Sequence, residues 1–505
     1  MMNLKYIKYT LVGLTATMTM NSCSKDFLEV DPKGTFLEAN YYQNEEQVYS
    51  GLVSVYDVVA KQSRGFENMV TMMNAGSDDH YAGGGGATDG AGIQSFSNYT
   101  ISESTLPLSF WSDYYQGIFR ANTLLAKLPE APMDESKKPR IAAEAKALRG
   151  YFYFELVRLF RNIPLITEPL PASEIYNVTQ AEPSQVWAQI EADLKEALPN
   201  LPLQLENLDE EAGRFTQGTV MAILGKVYLT QGKNSDAAAA FAEVNGTPGG
   251  TSKYGYKLLD DYNDLWVISN KFNSESILEV NHTDQSNADW GFWGSGADEG
   301  NTINIMVGPR NYSSSNTAMA PDYVSGWSFS VITQELYDLL KSDPRFDATI
   351  FDMKAMADAG YASYAPGYQD TGYFLKKFMP LNSDTSTGGG AAALNYKQNV
   401  YTIRLADTYL LEAEALGGSG ARAQALLDAV RARVGLPSVT VTMDAVMLER
   451  RKELAGEGHR WFDLVRTGRA AAELADRGFT AGKNEIFPIP LQELENTQLV
   501  QNPNY

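Results

Sequence analysis

Cysteine is almost absent: Cys23 is the only one in 505 residues. No internal disulfide can form, and a lone thiol so early in the chain is poorly placed to be a nucleophile in a folded cleft. Histidine is scarce as well, with three residues. His80, His282 and His459 stand far apart and lack the spacing of metal ligands. Positive charge is in short supply: 41 Lys and Arg face 62 Asp and Glu. The net charge is −21, or −23 once Lys5 and Lys8 leave with residues 1–22. Such a polyanion is not steered to nucleic acid or to anionic lipid, which points to a neutral or cationic ligand. No run beyond the N-terminus is long and apolar enough for a transmembrane helix. Gly83–Gly86 is followed by no Lys-Ser/Thr and is not a phosphate loop.

The chain does contain enough apolar residues, 44%, for a large core, and its 20% charged residues are those of a globular protein. Its N-terminus reads as a secretory signal. Lys5 and Lys8 form a positive region, and residues 9–20 form an apolar stretch too short to span a bilayer. Met20-Asn21-Ser22-Cys23 then reads as a lipobox. Residues 1–22 are therefore expected to be a lipoprotein signal, with Cys23 lipidated. An anchor of several acyl chains is stable, since each buried CH₂ adds about 0.8 kcal/mol.

Helical periodicity is clear in several places. Trp111, Tyr115, Ile118, Ala121 and Leu125 fall on one face of 110–128. Ala145, Leu148, Phe152, Leu156 and Leu159 do so in 137–160. A second pair is 183–198 with 216–231, where Ala222 and Gly225 allow close approach. A short helix is predicted over 234–243, with Asn234-Ser235-Asp236 as cap candidates. Four more are predicted over 397–417, 420–434, 443–456 and 459–472. Paired helices of this length suggest degenerate tetratricopeptide-like units. Residues 23–505 thus divide into a helical scaffold, about 40–245 and 397–472, and a loop-rich region of about 245–395. The loops are rich in Gly, Asn and Tyr, with short strand signals such as Ser276–Asn281. A similar loop spans 74–100. Loops this long in a compact protein carry function more often than not.

The candidate ligand-binding residues lie in these loops. Asp289-Trp290-Gly291-Phe292-Trp293-Gly294 puts two indoles three residues apart in a supple chain. Flat rings cover the C–H face of a sugar and leave its hydroxyls to polar groups. Trp290 and Trp293 are the first candidates, and Trp327, just before a predicted helix at 333–341, is a third. Asp78 and Asp79 could accept hydroxyl hydrogen bonds, with Tyr81 stacking beside them. Arg310, Asn311 and Tyr312 form another possible rim. Trp111, Trp187, Trp266 and Trp461 fall in regular segments and are expected in the core. Asp370 and Asp384 do not have the spacing of a calcium loop and are read as solvated. His459-Arg460-Trp461 looks catalytic but lies on a predicted helix and is read as a buried joint. The sequence calls for no cofactor, metal or catalytic residue.

The chain resembles the SusD/RagB family. Asp26-Phe27-Leu28 with Asp31-Pro32 is similar to the family's start after the lipid cysteine. Arg120-Ala121-Asn122 and the run Glu144–Tyr153 resemble its paired early helices. Leu159-Phe160 through Arg161-Asn162-Ile163-Pro164-Leu165 is similar to its exit from that helix, with arginine at 161 where the family often has glycine. Glu449–Leu454 and Glu457–Leu464 resemble its most specific signature, and Phe487-Pro488-Ile489-Pro490 with Gln501–Tyr505 its ending. The resemblance implies a mainly α protein, a SusD-like fold with four tetratricopeptide-like helix pairs and a loop-rich ligand face. It also implies a glycan-binding lipoprotein on the outside of the outer membrane, without catalysis, that delivers oligosaccharide to a SusC-like TonB-dependent transporter. Which glycan is bound is not fixed by it; the acidic surface favours a neutral plant or algal glucan over a host glycan. Two alternatives stay open: a surface glycoside hydrolase, which needs two carboxylates at a fixed separation, and a protein-binding tetratricopeptide scaffold.

Overall fold

The computed structural model describes residues 41–171, 173–290 and 299–505. Cys23, Trp293 and the signal region therefore lie outside the described residues. The longer helices are α1 (Glu45–Tyr56), α2 (Met69–Ala75), α3 (Ala91–Ser97), α4 (Ser109–Lys127), α5 (Lys138–Phe160), α6 (Pro183–Ala197), α7 (Gln217–Thr230), α8 (Asn234–Asn245), α9 (Gln334–Leu340), α10 (Leu405–Ala415), α11 (Gly420–Arg433), α12 (Met443–Glu453) and α13 (Arg460–Arg466). The protein is mainly α, and no described helix is long and apolar enough to cross a membrane.

The helices pack as an ordered stack, α4 on α5, α5 on α6, α7 on α8, α8 on α10 and α10 on α11. Helix α5 is sandwiched between α4 and α6. That is why it is buried on nearly every side from Ala143 to Phe160, rather than along one stripe. Small residues set the crossings. A Cβ on Gly117 of α4 would meet the Phe152 ring of α5 at 2.6 Å, and one on Gly225 of α7 the Phe241 ring of α8 at 2.5 Å. Helix α7 begins with Thr216, whose hydroxyl accepts from the Thr219 N–H at 3.2 Å.

Three expectations change in the scaffold. The predicted helix 459–472 ends at Arg466, and only a four-residue helix, Ala470–Glu473, follows its turn. Helix α8 begins at Asn234 itself, after Lys233, so Asn234, Ser235 and Asp236 form its first turn rather than its cap. The predicted helix 397–417 is a strand followed by a helix. Residues Val400–Arg404 form β8 and pair with β2 (Ser276–Val280), and α10 starts only at Leu405. All five residues of β8 are buried, and a run buried on both faces carries no period to separate strand from helix.

The loop-rich region holds the other strands as two-stranded antiparallel pairs. They are β1 (His80–Gly83) with β4 (Phe329–Ile332), β3 (Arg310–Ser314) with β6 (Ala362–Ala365), and β5 (Ile350–Asp352) with β7 (Tyr373–Leu375). Each pair ties together segments far apart in sequence. A smaller apolar cluster around Ile332, Leu336, Phe351 and Phe374 supports them beside the main core.

Candidate functional site: an aromatic shelf on a glycine ledge

The site is built on a close approach of three backbones. Strand β1 ends at Gly83, which pairs with Phe329. The Gly84 N–H then donates to the Ser328 carbonyl at 2.7 Å, and the Gly84 carbonyl accepts from the Tyr368 N–H at 2.8 Å. Side chains would not fit. A Cβ on Gly83 would lie 2.1 Å from the Ser328 oxygen and one on Gly84 2.7 Å from the Phe329 ring, and both residues have positive φ. This packing explains the glycines at 83 and 84. Ser328 and Ser330 on the facing strand also sit at positive φ, 60° and 53°. Strain of this kind collects at functional loops when the surroundings hold it. Here the Ser328 N–H donates to the Gly308 carbonyl at 2.8 Å, and the Ser330 carbonyl bonds the His80 ring at 2.9 Å. The left-handed residues flank Phe329, which is buried, and follow Trp327, which is half-exposed.

Trp327 and Trp290 form the shelf. Their ring centroids lie 6.0 Å apart with planes inclined by 32°. Trp290 is 55% exposed. Behind Trp327, Phe66 follows at 6.4 Å, and Phe66 meets Phe329 edge-on at 4.9 Å. The loop carrying Trp290 is held two residues earlier. The Ala288 carbonyl accepts from the Ala391 N–H at 2.9 Å and from the buried Asn395 amide at 3.0 Å. Beside the shelf, Arg310 donates through Nε to the Trp327 carbonyl at 3.0 Å and through Nη2 to Asp89 at 2.8 Å. The same Asp89 oxygen accepts the Gly85 N–H at 2.7 Å. Arg310 therefore locks the ledge to the shelf while a third of its side chain stays exposed. Asn311 is exposed and adopts φ 50° in a bulge of β3.

Other sequence candidates lie elsewhere. Asp78 and Asp79 are buried in ion pairs. Asp78 is gripped by Arg460 at 2.8 and 2.7 Å and paired with Arg451 at 3.1 Å, and Asp79 bonds Arg451 at 2.7 Å. Burial pushes the Asp78 carboxyl up, but Arg460 and Arg451 outweigh it and hold it below the usual range. For Asp79, burial and neighbouring Asp78 win over the arginines and raise it to about 6. Tyr81 lies under the Arg477 guanidinium, 4.6 Å from its ring centroid, beside this ionic cluster rather than on the shelf. Tyr312 is buried, packs against Tyr323 and Phe351, and donates to the Pro321 carbonyl at 2.6 Å. It is a core residue. Trp111 and Trp461 are buried as expected, and Trp187 and Trp266 are half-buried. His459 is buried and neutral, because desolvation pushes its pKa down to about 4.

The residues missed in the sequence are Phe66, Asp89 and Tyr368. Asp89-Gly90 closes the glycine-rich loop and Pro366-Gly367-Tyr368 is a turn signal with an aromatic. Both could have been flagged. Phe66 carries no local sign of its role.

A second charged assembly lies beneath the scaffold. Arg404 bonds Glu275 at 2.9 Å, Glu453 at 2.6 Å and Glu457 at 2.8 Å. Arg345 bonds Glu449 at 2.7 Å and Glu453 at 2.9 Å, and Lys377 bonds Glu457 at 2.8 Å. All of these side chains are buried. The surrounding arginines hold Glu453 well below the usual carboxylate range against the cost of its burial. Glu449 and Glu453 of the conspicuous Glu-Arg-Arg-Lys-Glu run thus belong to a buried ionic seam.

A stack of helices thus presents an aromatic shelf on its loops. The chain belongs to the SusD family. The SusD family model matches residues 274–505, and a second model, described as starch-binding and associating with the outer membrane, matches residues 26–229. A solved laminarin-binding SusD-like protein is 65% identical and superposes with a TM-score of 0.90, covering 92% of this chain and 100% of that one. Surface glycan-binding protein A from Bacteroides thetaiotaomicron, solved in complex with laminarihexaose, is 25% identical with a TM-score of 0.79, covering 91% and 99%. A SusD-like protein of Bacteroides ovatus is 25% identical over 476 residues, 90% of this chain and 81% of that one.

Proposed function

We propose that this chain is a surface glycan-binding lipoprotein that captures laminarin or its oligosaccharides on the Trp290–Trp327 shelf and passes them, without chemistry, to a SusC-like TonB-dependent transporter. The observation that carries this reading is the shelf itself: two inclined indoles, one of them 55% exposed, 6.0 Å apart on strained and clamped loops. Inclined rings follow a curved chain of sugars better than coplanar ones, and their apolar faces cover its C–H faces. Arg310 and Asn311 stand at the rim as donors. The glucan named for the 65%-identical relative supports laminarin as the first ligand to try, and a neutral ligand suits a surface of net charge −21.

Affinity in the micromolar to millimolar range, about −4 to −8 kcal/mol, suits a carrier that must release its cargo. Trp293 belongs to the proposed site through its place three residues after Trp290. Lipidation at Cys23, with the protein facing outward from the outer membrane, keeps it beside its transporter. Isothermal titration of the protein with laminarihexaose, alongside a reducing-sugar assay, tests the reading. Binding without sugar release is expected. Sugar release would replace it by a hydrolase, and no binding to any glucan together with capture of a peptide would replace it by a protein scaffold.

A further inference from the structure

Helix α5 ends in an unusual way. Arg161 caps it at φ 62° and ψ −58°, and the Asn162 N–H donates across it to the Phe160 carbonyl at 2.7 Å. A bond between residues i and i+2 at positive φ is the strained form of γ-turn, which glycine adopts freely and other residues resist. The turn is held from outside. Asn502 accepts from the Asn162 amide at 2.8 Å and donates to the carbonyls of Phe160 and Phe487 at 2.8 and 2.7 Å. Nothing in this clamp uses the arginine side chain. It is exposed, and it makes no hydrogen bond or ion pair with the described residues. Glycine would satisfy the backbone better, so the reason for arginine lies in its guanidinium.

Arg161 lines a cavity of about 400 Å³, which shares no lining residue with the aromatic shelf. Phe154, Val157, Trp187 and Leu229 give it an apolar wall. Its charged lining is cationic apart from Asp463: Arg158, Lys226, Arg450 and Arg466 join Arg161. The other four are already paired. Arg158 bonds Glu155, Lys226 bonds Asp407, Arg450 bonds Asp407 and Asp463, and Arg466 bonds Glu414 and Asp463. Among the described residues, Arg161 alone brings this cavity a charge without a counter-ion. An arginine so placed suits the planar, bidentate geometry of a carboxylate.

We propose that this cavity binds an organic carboxylate with an apolar body, its carboxylate on Arg161 and its body against Trp187 and Phe154. Trp187 packs 6.2 Å from Phe154 and serves as a fluorescent reporter. The test titrates the whole protein with 3-phenylpropionate and with 3-phenylpropan-1-ol, which lacks the charge. The acid is expected to bind and the alcohol to bind about tenfold or more weakly, as the loss of a charge-assisted pair requires. Arg161→Gly should lose the acid by a similar factor, melt at the same or a higher temperature because the strain is relieved, and keep the parent affinity for laminarihexaose. Arg161→Gln, which keeps the strain but not the charge, carries the same comparison if the glycine variant does not fold. No binding of the acid to the parent, equal binding of acid and alcohol, or parent affinity in both variants would overturn the proposal. So would inorganic phosphate binding as tightly as 3-phenylpropionate, since the apolar wall would then contribute nothing.

Discussion

The ionic seam around Arg404 and the aromatic shelf around Trp327 use conspicuous side chains in opposite ways. In the seam, charges that look like chemistry are removed from water and spent on joining helices. On the shelf, large apolar rings that look like core are left at the surface. The difference lies in what each region can satisfy internally. Arg404 finds three carboxylates and the Glu453 carbonyl within bonding distance, so its burial is fully compensated. Trp290, by contrast, stays 55% exposed.

The largest effect should come from breaking the seam. Arg404→Ala leaves Glu453 and Glu457 buried with a partner missing, and should cost roughly 3–5 kcal/mol of stability by urea denaturation. A loss below about 1 kcal/mol would mean that the seam is open to water and that the contrast drawn here is false. Next comes pH. His80, His282 and His459 are all buried, and desolvation lowers each to about 4. Between pH 6.5 and 4 the unfolded chain binds protons that the folded one refuses, so their contribution is present above 6.5 and lost through this window. Asp79, raised to about 6, acts in the opposite sense from 6 downward. His282 bonds Ser63 at 2.7 Å and the Glu299 carbonyl at 3.0 Å. His282→Gln should remove about 2–3 kcal/mol of the acid-induced loss between those pH values, measured as denaturation midpoints.

The shelf should respond more mildly and differently. Gly84→Ala forces a methyl toward the Phe329 ring at positive φ. It should cost about 1–3 kcal/mol of stability and weaken laminarihexaose together with it, because the ledge carries the shelf. Trp290→Ala should weaken laminarihexaose by at least ~1 kcal/mol and leave the melting temperature nearly unchanged. If that variant instead unfolded, Trp290 would be a core residue and the shelf would lose its functional meaning.

Much of the scaffold was legible in the sequence because helix packing imposes a period. Gly225, picked out as small, does meet a ring of the next helix. The strand at Val400–Arg404 was not legible, since burial on both faces leaves no period. The site was legible only in part. Trp290 and Trp327 could be placed in loops, but nothing local says that they meet. Asp78 and Asp79 were misread because their partners, Arg451 and Arg460, lie about 370 to 380 positions away. A carboxylate in a glycine-rich loop looks solvated until that distance is closed.

That closure has a consequence for assembly. The segment leading into the glycine ledge is pinned by arginines made almost at the end of synthesis, so a growing or truncated chain holds the ledge without its anchor. Ligand-binding competence should therefore arrive late and all at once, after the last helices dock. A chain cut short of α12 would be expected to leave the ledge unanchored, however complete its loops.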